Sequence, residues 1–508
     1  MMRELLTPEQ AALWLHERVR GSLQTDSREV RHGDGFIAWP GASRDGRNYV
    51  PDALAQGAAA CLIERRGAQA FDFTDEAIAM FPDLKAGSGP IAAAYYGHAS
   101  QQLDVLAVTG TNGKTTTSWW LAQALSALAS PIPCGLIGTL GVGRVPPPGA
   151  PGEADVVDTG LTTPDPVLLQ KTLRRFVDEG LRAVAIEASS IGIEERRLDG
   201  TRIRTAIFTN FTQDHLDYHG SMQAYWQAKA ALFDWPQLKA AVLNLDDIKG
   251  QELAQQLAQR PLDLWTIACR NPAARLQARN LRWDVAGVCF TVCEGDTCLE
   301  LATPLIGEYN VLNLLGVIAA MRSLGVPLEQ AVAACRVLHP APGRMEMTVV
   351  ADRPLAVVDY AHTPDALAHA LQALRPLAAA RGGRLWCVFG CGGDRDAGKR
   401  PLMGDVVSRL ADQAVVTSDN PRSETPQAII DQILLGLEGG AGVSVVADRA
   451  EAIAQTLARA DARDVVLVAG KGHENYQEIA GRRLPFSDRQ QVQHAVQARA
   501  AAAQELRS

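Results

Sequence analysis

The run VTGTNGKTTT, Val108 to Thr117, holds residues whose types and order suit phosphate chemistry. An apolar segment runs into Gly110, Thr111, Asn112 and Gly113, and Lys114, Thr115 and Thr116 then open a helix-like stretch. Glycines let backbone N–H groups face a phosphate, and a helix N-terminus adds a favourable dipole. Lys114 is expected to reach terminal phosphates, with the Thr115 hydroxyl on Mg²⁺. The usual spacing puts a glycine six residues before the lysine. Val108 stands there, so the match is to a shorter variant. A glycine turn before a helix is the bland alternative, but Lys-Thr-Thr at that position has little other use.

Further candidates lie downstream. Glu187 closes the apolar run AVAI, where a bare carboxylate is costly unless paired or on a metal. Asp214, His215, Asp217 and His219 follow another apolar run. Two histidines four apart could suggest zinc, yet no helix is expected between them, and oxygen-rich Mg²⁺ ligation with one imidazole suits a nucleotide site better. Lys229 stands among Tyr225, Trp226, Leu232 and Phe233. Periodicity alone favours a snorkelling surface lysine there. In VVTSDNPRSE, Asp419, Asn420 and Pro421 suit a turn, but a turn leaves Arg422 unexplained.

The elements that must position these residues alternate. The first hundred residues read as a short N-terminal helix, then strands and turns without a long helical pattern. From about residue 104, short apolar runs alternate with helical stretches, which predicts a mostly parallel sheet. Residues 263–305 read as antiparallel strands added at the periphery. GRVPPPGAPGEADVVDTG reads as a mobile Pro/Gly loop. The alternation restarts after HPAPGRME, and four strand ends there carry Asp359–His362, Asp394–Arg395, Asp419–Arg422 and Lys471–Glu474. In open parallel sheets, ligands sit beyond such ends. The fold class is α/β with three domains, 1–100, 101–340 and 341–508.

The 508 residues exceed one core. A net charge of −8 argues against a broad nucleic-acid surface. No apolar run reaches 18 residues, so no membrane span is expected, and the N-terminus does not read as a signal peptide. Nine scattered cysteines, among them Cys289, Cys293 and Cys298, are expected to be reduced thiols of a cytoplasmic protein.

Taken together, DSR, GTNGKTTT, TTPDP, EASS, NFTQDHLDYHG, GEYNVLN, PGRME, VDYAHTPDAL, GCGGDRDAGKRPLM, DNPR and GKGHE resemble the Mur ligases, ATP-dependent amide-forming enzymes of peptidoglycan precursor assembly. The resemblance covers nearly the whole chain and is nearest to the members that add the third amino acid. It implies a uridine-nucleotide domain, a central phosphate-loop ATPase domain and a Rossmann-like domain for the incoming amino acid. Ser27 and Ala42, Ser43 and Arg44 match uridine-diphosphate contacts. Thr162, Thr163, Ser189, Glu195 and Arg197 match contacts to the muramoyl-dipeptide arm. Glu187 and His215 match magnesium ligands. Lys229 matches a carbamylated lysine, whose CO₂-derived carbamate would ligate a second Mg²⁺. Asn310, Arg344 and Asp359 match nucleotide contacts. Two departures stand out: Ile191 replaces a usual histidine and Glu195 a usual glutamine.

The implied reaction activates the D-glutamyl side-chain carboxylate as an acyl phosphate, which the amine of the third amino acid attacks. His362 is either the base for that amine or a positioning group. DNPR marks the diaminopimelate-adding members. Arg422 would grip the distal carboxylate, Asp419, Asn420 and Glu474 the ammonium, with Arg395 and Gly470 completing the pocket. The expected partners are small molecules, with no nucleic acid, and the chain is expected to be a monomer. A nucleotide switch or motor would need a guanine-reading Asn-Lys-x-Asp segment or a Walker-B aspartate with a switch glycine, and neither is clear. A binding-only relative would not need Lys114, Thr115, Glu187, His215 and Lys229 intact. A folylpolyglutamate synthase would lack the N-terminal domain and DNPR.

Overall fold

The computed structural model describes all residues except 1, 42–43, 150–153, 285–286, 438–441 and 506–508. Three large sheets and one two-stranded ladder, Tyr476–Ile479 with Arg482–Pro485, organise the described residues. The first is a five-stranded parallel sheet in the spatial order Arg3–Glu4, Ile78–Phe81, Ala60–Glu64, Gly35–Ala38, Leu23–Gln24. Its N-terminal helix Pro8–Arg18 is capped by the Thr7 side chain, which accepts from the Gln10 N–H, and it buries Trp14 and Leu15.

The second sheet has eleven strands. At its centre Asp104–Thr109 lies between Ala183–Glu187 and Thr205–Phe208, parallel to both. The interiors of these strands are apolar because both faces are covered. On one face the helices Lys114–Ser126 and Glu308–Ser323 pack over Leu106, Val108 and Ile207. On the other, Leu169, Leu173 and Phe176 of helix Pro166–Asp178 join Val105, Ala107 and Val184.

The third sheet has six strands, in the order Glu346–Thr348, Leu355–Asp359, Val465–Ala469, Leu385–Phe389, Gln413–Val416, Gly442–Val445. All are parallel except the first. Five carboxyl ends therefore open on one edge, and four of them carry the segments expected from the sequence.

Several expectations change. A twelve-residue helix, Leu84–Tyr95, occupies a stretch where no long helix was expected. Gly87, Gly89 and Pro90 disguise it, yet the glycines are packing residues. A Cβ at Gly87 would lie 2.5 Å from the Phe81 ring, and one at Gly89 would lie 2.2 Å from the Asp199 carbonyl oxygen. The 263–305 stretch is antiparallel at the sheet's edge only from residue 276 onward. Asp263–Ala268 pairs parallel with Ala240–Asn244, and only Leu276–Asp284, Gly287–Glu294 and Thr297–Thr303 form antiparallel ladders, continuous with the central sheet. The Pro/Gly loop is bounded by a short ladder of Gly141–Arg144 with Asp155–Val157, and its residues 150–153 lie outside the described residues. Cys293 and Cys298 are joined as a disulfide, not reduced as expected. They sit directly opposite in the antiparallel register, with Cα atoms 4.2 Å apart. Among the described residues no helix is long and apolar enough to cross a membrane.

Candidate active site

The phosphate loop is held by its neighbouring strand end. Thr111 N donates to Asn210 O at 2.9 Å, Asn112 N to Asn210 Oδ1 at 2.9 Å, and Thr209 Oγ1 to Asn112 O at 2.6 Å. Gly110 has φ +144°, and a Cβ there would fall 1.9 Å from Thr209 Oγ1, so only glycine fits. Lys114 Nζ curls over the loop and donates to Gly110 O at 2.9 Å and Thr111 O at 2.8 Å. Burial pulls its pKa down, against the pull of the Glu187 and Asp214 carboxylates.

Glu187 is 1% exposed at its strand end. It accepts from Thr139 N at 2.8 Å, Thr139 Oγ1 at 3.1 Å and Thr115 Oγ1 at 3.0 Å. Arg344 Nη2 donates to the same Thr115 hydroxyl at 3.2 Å. Thr139 was not picked out from sequence, because nothing in GTLG marks it. His215 stands in left-handed backbone (φ +52°) before a single helical turn, Leu216–His219, which was not expected. Partial burial lowers the His215 pKa, while Asp214, 3.5 Å from Nε2, opposes the shift. His219 turns elsewhere, with Nε2 3.0 Å from Ser190 Oγ. Among the described residues no three His, Cys, Asp or Glu side chains cluster for a metal. Glu187, the Thr115 hydroxyl and His215 line one cavity, and oxygen-rich donors of this kind could hold Mg²⁺, which keeps waters and takes one or two carboxylates plus substrate phosphates.

Lys229 is no snorkelling residue, since it is 1% exposed. Its Nζ donates to Gly110 O at 2.8 Å and lies 4.3 Å from the centre of the Tyr225 ring. Among the described residues it forms no ion pair. Burial first, then the nearby Lys114 cation, holds its pKa well below the ordinary lysine value.

A cavity of about 640 Å³ joins the phosphate loop, Glu187 and His215; Lys229 stands behind the loop and is not part of its lining. The phosphate loop, Glu187, His215, Thr162 and Ser189 line it from the central unit, and Asn310, Arg344, Asp359 and His362 from around the second boundary. Asn310 Nδ2 donates to Ile306 O at 2.7 Å. Asp359 accepts from Met345 N (2.7 Å) and Ala361 N (2.8 Å), and burial raises its pKa. Asn112 Nδ2 also reaches Asp365 Oδ2 at 3.2 Å, so the third unit touches the loop directly. His362 Nδ1 lies 2.8 Å from the Tyr360 carbonyl, and burial pushes its pKa down to about 4. So weak a base takes up a proton poorly near neutral pH, which favours positioning.

Thr162 Oγ1 is 3.0 Å from Thr139 Oγ1. Thr163, Ser189 and Arg197 form one group. Thr163 Oγ1 donates to Glu187 O at 2.8 Å and lies 3.0 Å from Ser189 Oγ, and Arg197 Nη1 donates to Thr163 O at 3.0 Å. Glu195 pairs with Lys85 Nζ at 2.7 Å and accepts from Tyr218 OH at 2.6 Å; the Lys85 hydrogen bond lowers its pKa. Its carboxylate is thus tied to a cation of the first unit. Ser27 is buried at the start of a short turn of helix, and Arg44 is exposed. Ala42 and Ser43 lie outside the described residues.

Of the four strand-end segments only Asp359–His362 lines that cavity; the Asp419–Arg422 and Lys471–Glu474 segments adjoin it through Tyr360, whose ring lies 5.1 Å from that of His473. Arg422 is held in left-handed backbone (φ +53°) by its N–H on Glu478 O at 3.0 Å and its carbonyl on Ala480 N at 2.7 Å. Its Nη1 donates to Gly393 O at 2.6 Å, and its Nε stands 3.8 Å from Glu478 Oε2. Arg395 is exposed beside the same Gly392–Gly393 segment. Pro421 O accepts from Glu424 N at 3.0 Å, which closes the turn. Asn420 Nδ2 donates to Glu474 Oε2 at 2.8 Å, and buried Lys471 donates to both Asn420 Oδ1 (2.9 Å) and Glu474 Oε2 (2.7 Å). Gly470 has φ +119°, and a Cβ there would meet Asp419 Oδ2 at 2.5 Å. Lys471 was not weighed as a site residue. Its place beside Glu474 in GKGHE was the available signal.

A phosphate loop in a central parallel sheet, with a strand-end cluster on a second, is the layout of a Mur ligase. Family models match at residues 21–85 (Mur ligase family, catalytic domain), 108–321 (Mur ligase middle domain) and 343–472 (Mur ligase, glutamate ligase domain). The chain belongs to the Mur ligase family. It is 60% identical, over 96% of both chains, to the UDP-N-acetylmuramoyl-L-alanyl-D-glutamate–2,6-diaminopimelate ligase of Acidovorax sp. (strain JS42). A solved structure of a ligase with that name is 35% identical, covers 94% of this chain and 95% of its own, and superposes with a TM-score of 0.64. A folylpolyglutamate synthase of Mycobacterium tuberculosis, 18% identical with a TM-score of 0.58, shares the fold over only 76% of this chain and 92% of its own.

Proposed function

We propose that this protein is the ATP-dependent ligase that joins meso-2,6-diaminopimelate to the D-glutamyl side-chain carboxylate of UDP-N-acetylmuramoyl-L-alanyl-D-glutamate, in peptidoglycan precursor synthesis. The observation that carries the reading is the 60% identity over 96% of both chains with a ligase of that name. Its domains are 1–100 for the uridine nucleotide, 101–340 for ATP and 341–508 for the incoming amino acid. It works in the cytoplasm as a monomer on small molecules.

Lys114 and the loop amides receive the β- and γ-phosphates of ATP, and Lys114 exchanges its two loop carbonyls for them. Asn310, Arg344 and Asp359 hold the rest of the nucleotide. Thr115, Glu187, His215 and carbamylated Lys229 would hold two Mg²⁺ ions, which when bound supply positive charge against the phosphates. A buried amine with a depressed pKa and no carboxylate partner among the described residues suits carbamate formation, because CO₂ reacts with neutral amine.

Ser27 and Arg44 contact the uridine diphosphate. Thr162, Thr163, Ser189 and Arg197 place the D-glutamyl carboxylate for attack on the γ-phosphorus, which gives an acyl phosphate and ADP. Glu195 acts by holding Lys85 against this arm. Arg422, with Arg395, takes the distal carboxylate of diaminopimelate, while Asp419, Asn420 and Glu474 take its ammonium. The other amine attacks the acyl carbon, and phosphate leaves. Neutral His362 orients that amine. Phosphate release assayed with the UDP-dipeptide and each candidate amino acid tests the reading. It requires release with meso-diaminopimelate and fails if another amino acid is used as well.

A further inference from the structure

The amino-acid cluster is assembled on two strand ends that are not neighbours. Gln413–Val416 and Val465–Ala469 are separated in the sheet by Leu385–Phe389. Their loops nevertheless meet, since a Cβ on Gly470 would fall 2.5 Å from Asp419 Oδ2. Something must hold the two loops in that relation, because backbone carbonyls at the ends of parallel strands lose their ladder partners.

Arg449, the first residue of helix Arg449–Arg459, fills that position. Its side chain is 0% exposed, as is that of Asp488. The guanidinium meets Asp488 with two parallel bonds, Nε to Oδ1 and Nη2 to Oδ2, both 2.7 Å. Two of its three other N–H groups go to carbonyls, Ser418 O from Nη1 at 3.2 Å and Ala469 O from Nη2 at 2.9 Å. Ser418 immediately precedes Asp419, and Ala469 immediately precedes Gly470. One planar cation thus bridges the bases of the two loops, behind the Asn420–Glu474 and Lys471–Asn420 bonds at their tips, and Asp488 ties that bridge to the C-terminal helix it opens. Lysine could not reproduce this, because a single ammonium lacks the rigid fork. Burial works against the charge, and Asp488 keeps the guanidinium fully protonated.

We propose that Arg449, oriented by Asp488, is a positioning residue for the amino-acid site, setting the distance between the Asp419–Arg422 loop and the Gly470–Glu474 loop without touching substrate. The inference rests on the reading of those loops as the diaminopimelate site. A plain structural salt bridge would lower stability and leave the kinetic constants in their ordinary ratio.

The test uses the full chain with Arg449→Lys and, separately, the paired Arg449→Met/Asp488→Leu, because a buried ion pair replaced by apolar residues often keeps its fold. Initial rates give KM for diaminopimelate, for ATP and for the UDP-dipeptide, and thermal unfolding is followed in parallel. A displacement of about 1 Å in a positioned group costs on the order of tenfold to a hundredfold. The expected result is a KM for diaminopimelate raised at least about tenfold in both variants, with the other two constants within about twofold. Equal changes in all three constants, or none, in a variant that unfolds cooperatively would overturn the proposal. If the paired variant does not fold, Arg449→Lys alone decides by the same ratio. Arg422→Ala separates the two claims. If it leaves KM for diaminopimelate unchanged, the site reading fails. If it raises that KM while the Arg449 variants do not, only the positioning role fails.

Discussion

Replacing Lys229 with methionine should abolish most of the activity while leaving the fold at least as stable. Gly110 O accepts from both Lys114 Nζ and Lys229 Nζ, so losing one donor leaves no orphaned carbonyl. Any lost hydrogen bond is therefore worth only about 1 kcal/mol. Against it stands the cost of a buried amine with no ion-pair partner among the described residues. The sign of the pH effect follows. The folded pKa lies below the ordinary 10.5, so between those values the unfolded chain binds the extra proton, and the parent gains stability as pH rises through that window. In CO₂-depleted buffer the methionine variant should unfold at an equal or higher temperature than the parent at pH 7, with the gap narrowing toward pH 9. An ordinary lysine is neutral in roughly one molecule per thousand at pH 7.5, and each unit of depression raises that fraction about tenfold. The parent should therefore gain activity and a ¹³C carbamate signal when labelled bicarbonate is restored, and the variant should gain neither. Loss of a metal-site group costs about 10- to 100-fold or more. A Lys229→Met protein releasing phosphate at the parent's rate would refute the carbamate, and a large drop in its melting temperature would refute the stability argument.

Other consequences are equally direct. Lys114→Ala should lose ligation by at least about a hundredfold with the unfolding temperature near that of the parent, and full turnover would remove the phosphate-loop assignment. Gly138→Ala places a Cβ 2.2 Å from Glu187 Oε1 and should raise the Mg²⁺ concentration for half-maximal rate about tenfold, while an unchanged Mg²⁺ titration would contradict the role of Glu187. His362 has a folded pKa of about 4, below its unfolded value, so its contribution to stability is present above pH 6.5 and is lost as pH falls toward 4. His362→Gln should accordingly lower kcat yet leave any acid limb between pH 6 and 8 where it was; a limb that moves would make His362 a titrating base.

What the sequence disclosed depended on how local the chemistry was. The phosphate loop is legible because one short run holds strand, glycines, lysine and hydroxyls. The four strand ends are legible because apolar runs stop abruptly at charged residues. Helix Leu84–Tyr95 is hidden because its glycines serve neighbours distant in the chain, Phe81 and Asp199 among them. Lys229 reads as a surface residue until tertiary packing covers it. The Lys85–Glu195 pair and the Arg449–Asp488 node join segments 110 and 39 residues apart, and nothing local marks either arginine or lysine as buried or bridging. The Cys293–Cys298 pairing follows from strand register, which alternation alone leaves open.

The most direct test of the central claim is phosphate release by the unmodified protein with ATP, Mg²⁺ and UDP-N-acetylmuramoyl-L-alanyl-D-glutamate, comparing meso-diaminopimelate with L-lysine. Lysine lacks the distal carboxylate that Arg422 would bind. A site built to hydrogen-bond a substrate group rejects an analogue lacking it by about 10⁴-fold. The account predicts rapid release with diaminopimelate, almost none with lysine, and collapse of that ratio in Arg422→Ala while KM for ATP holds. Equal use of the two amino acids by the unmodified protein would contradict it.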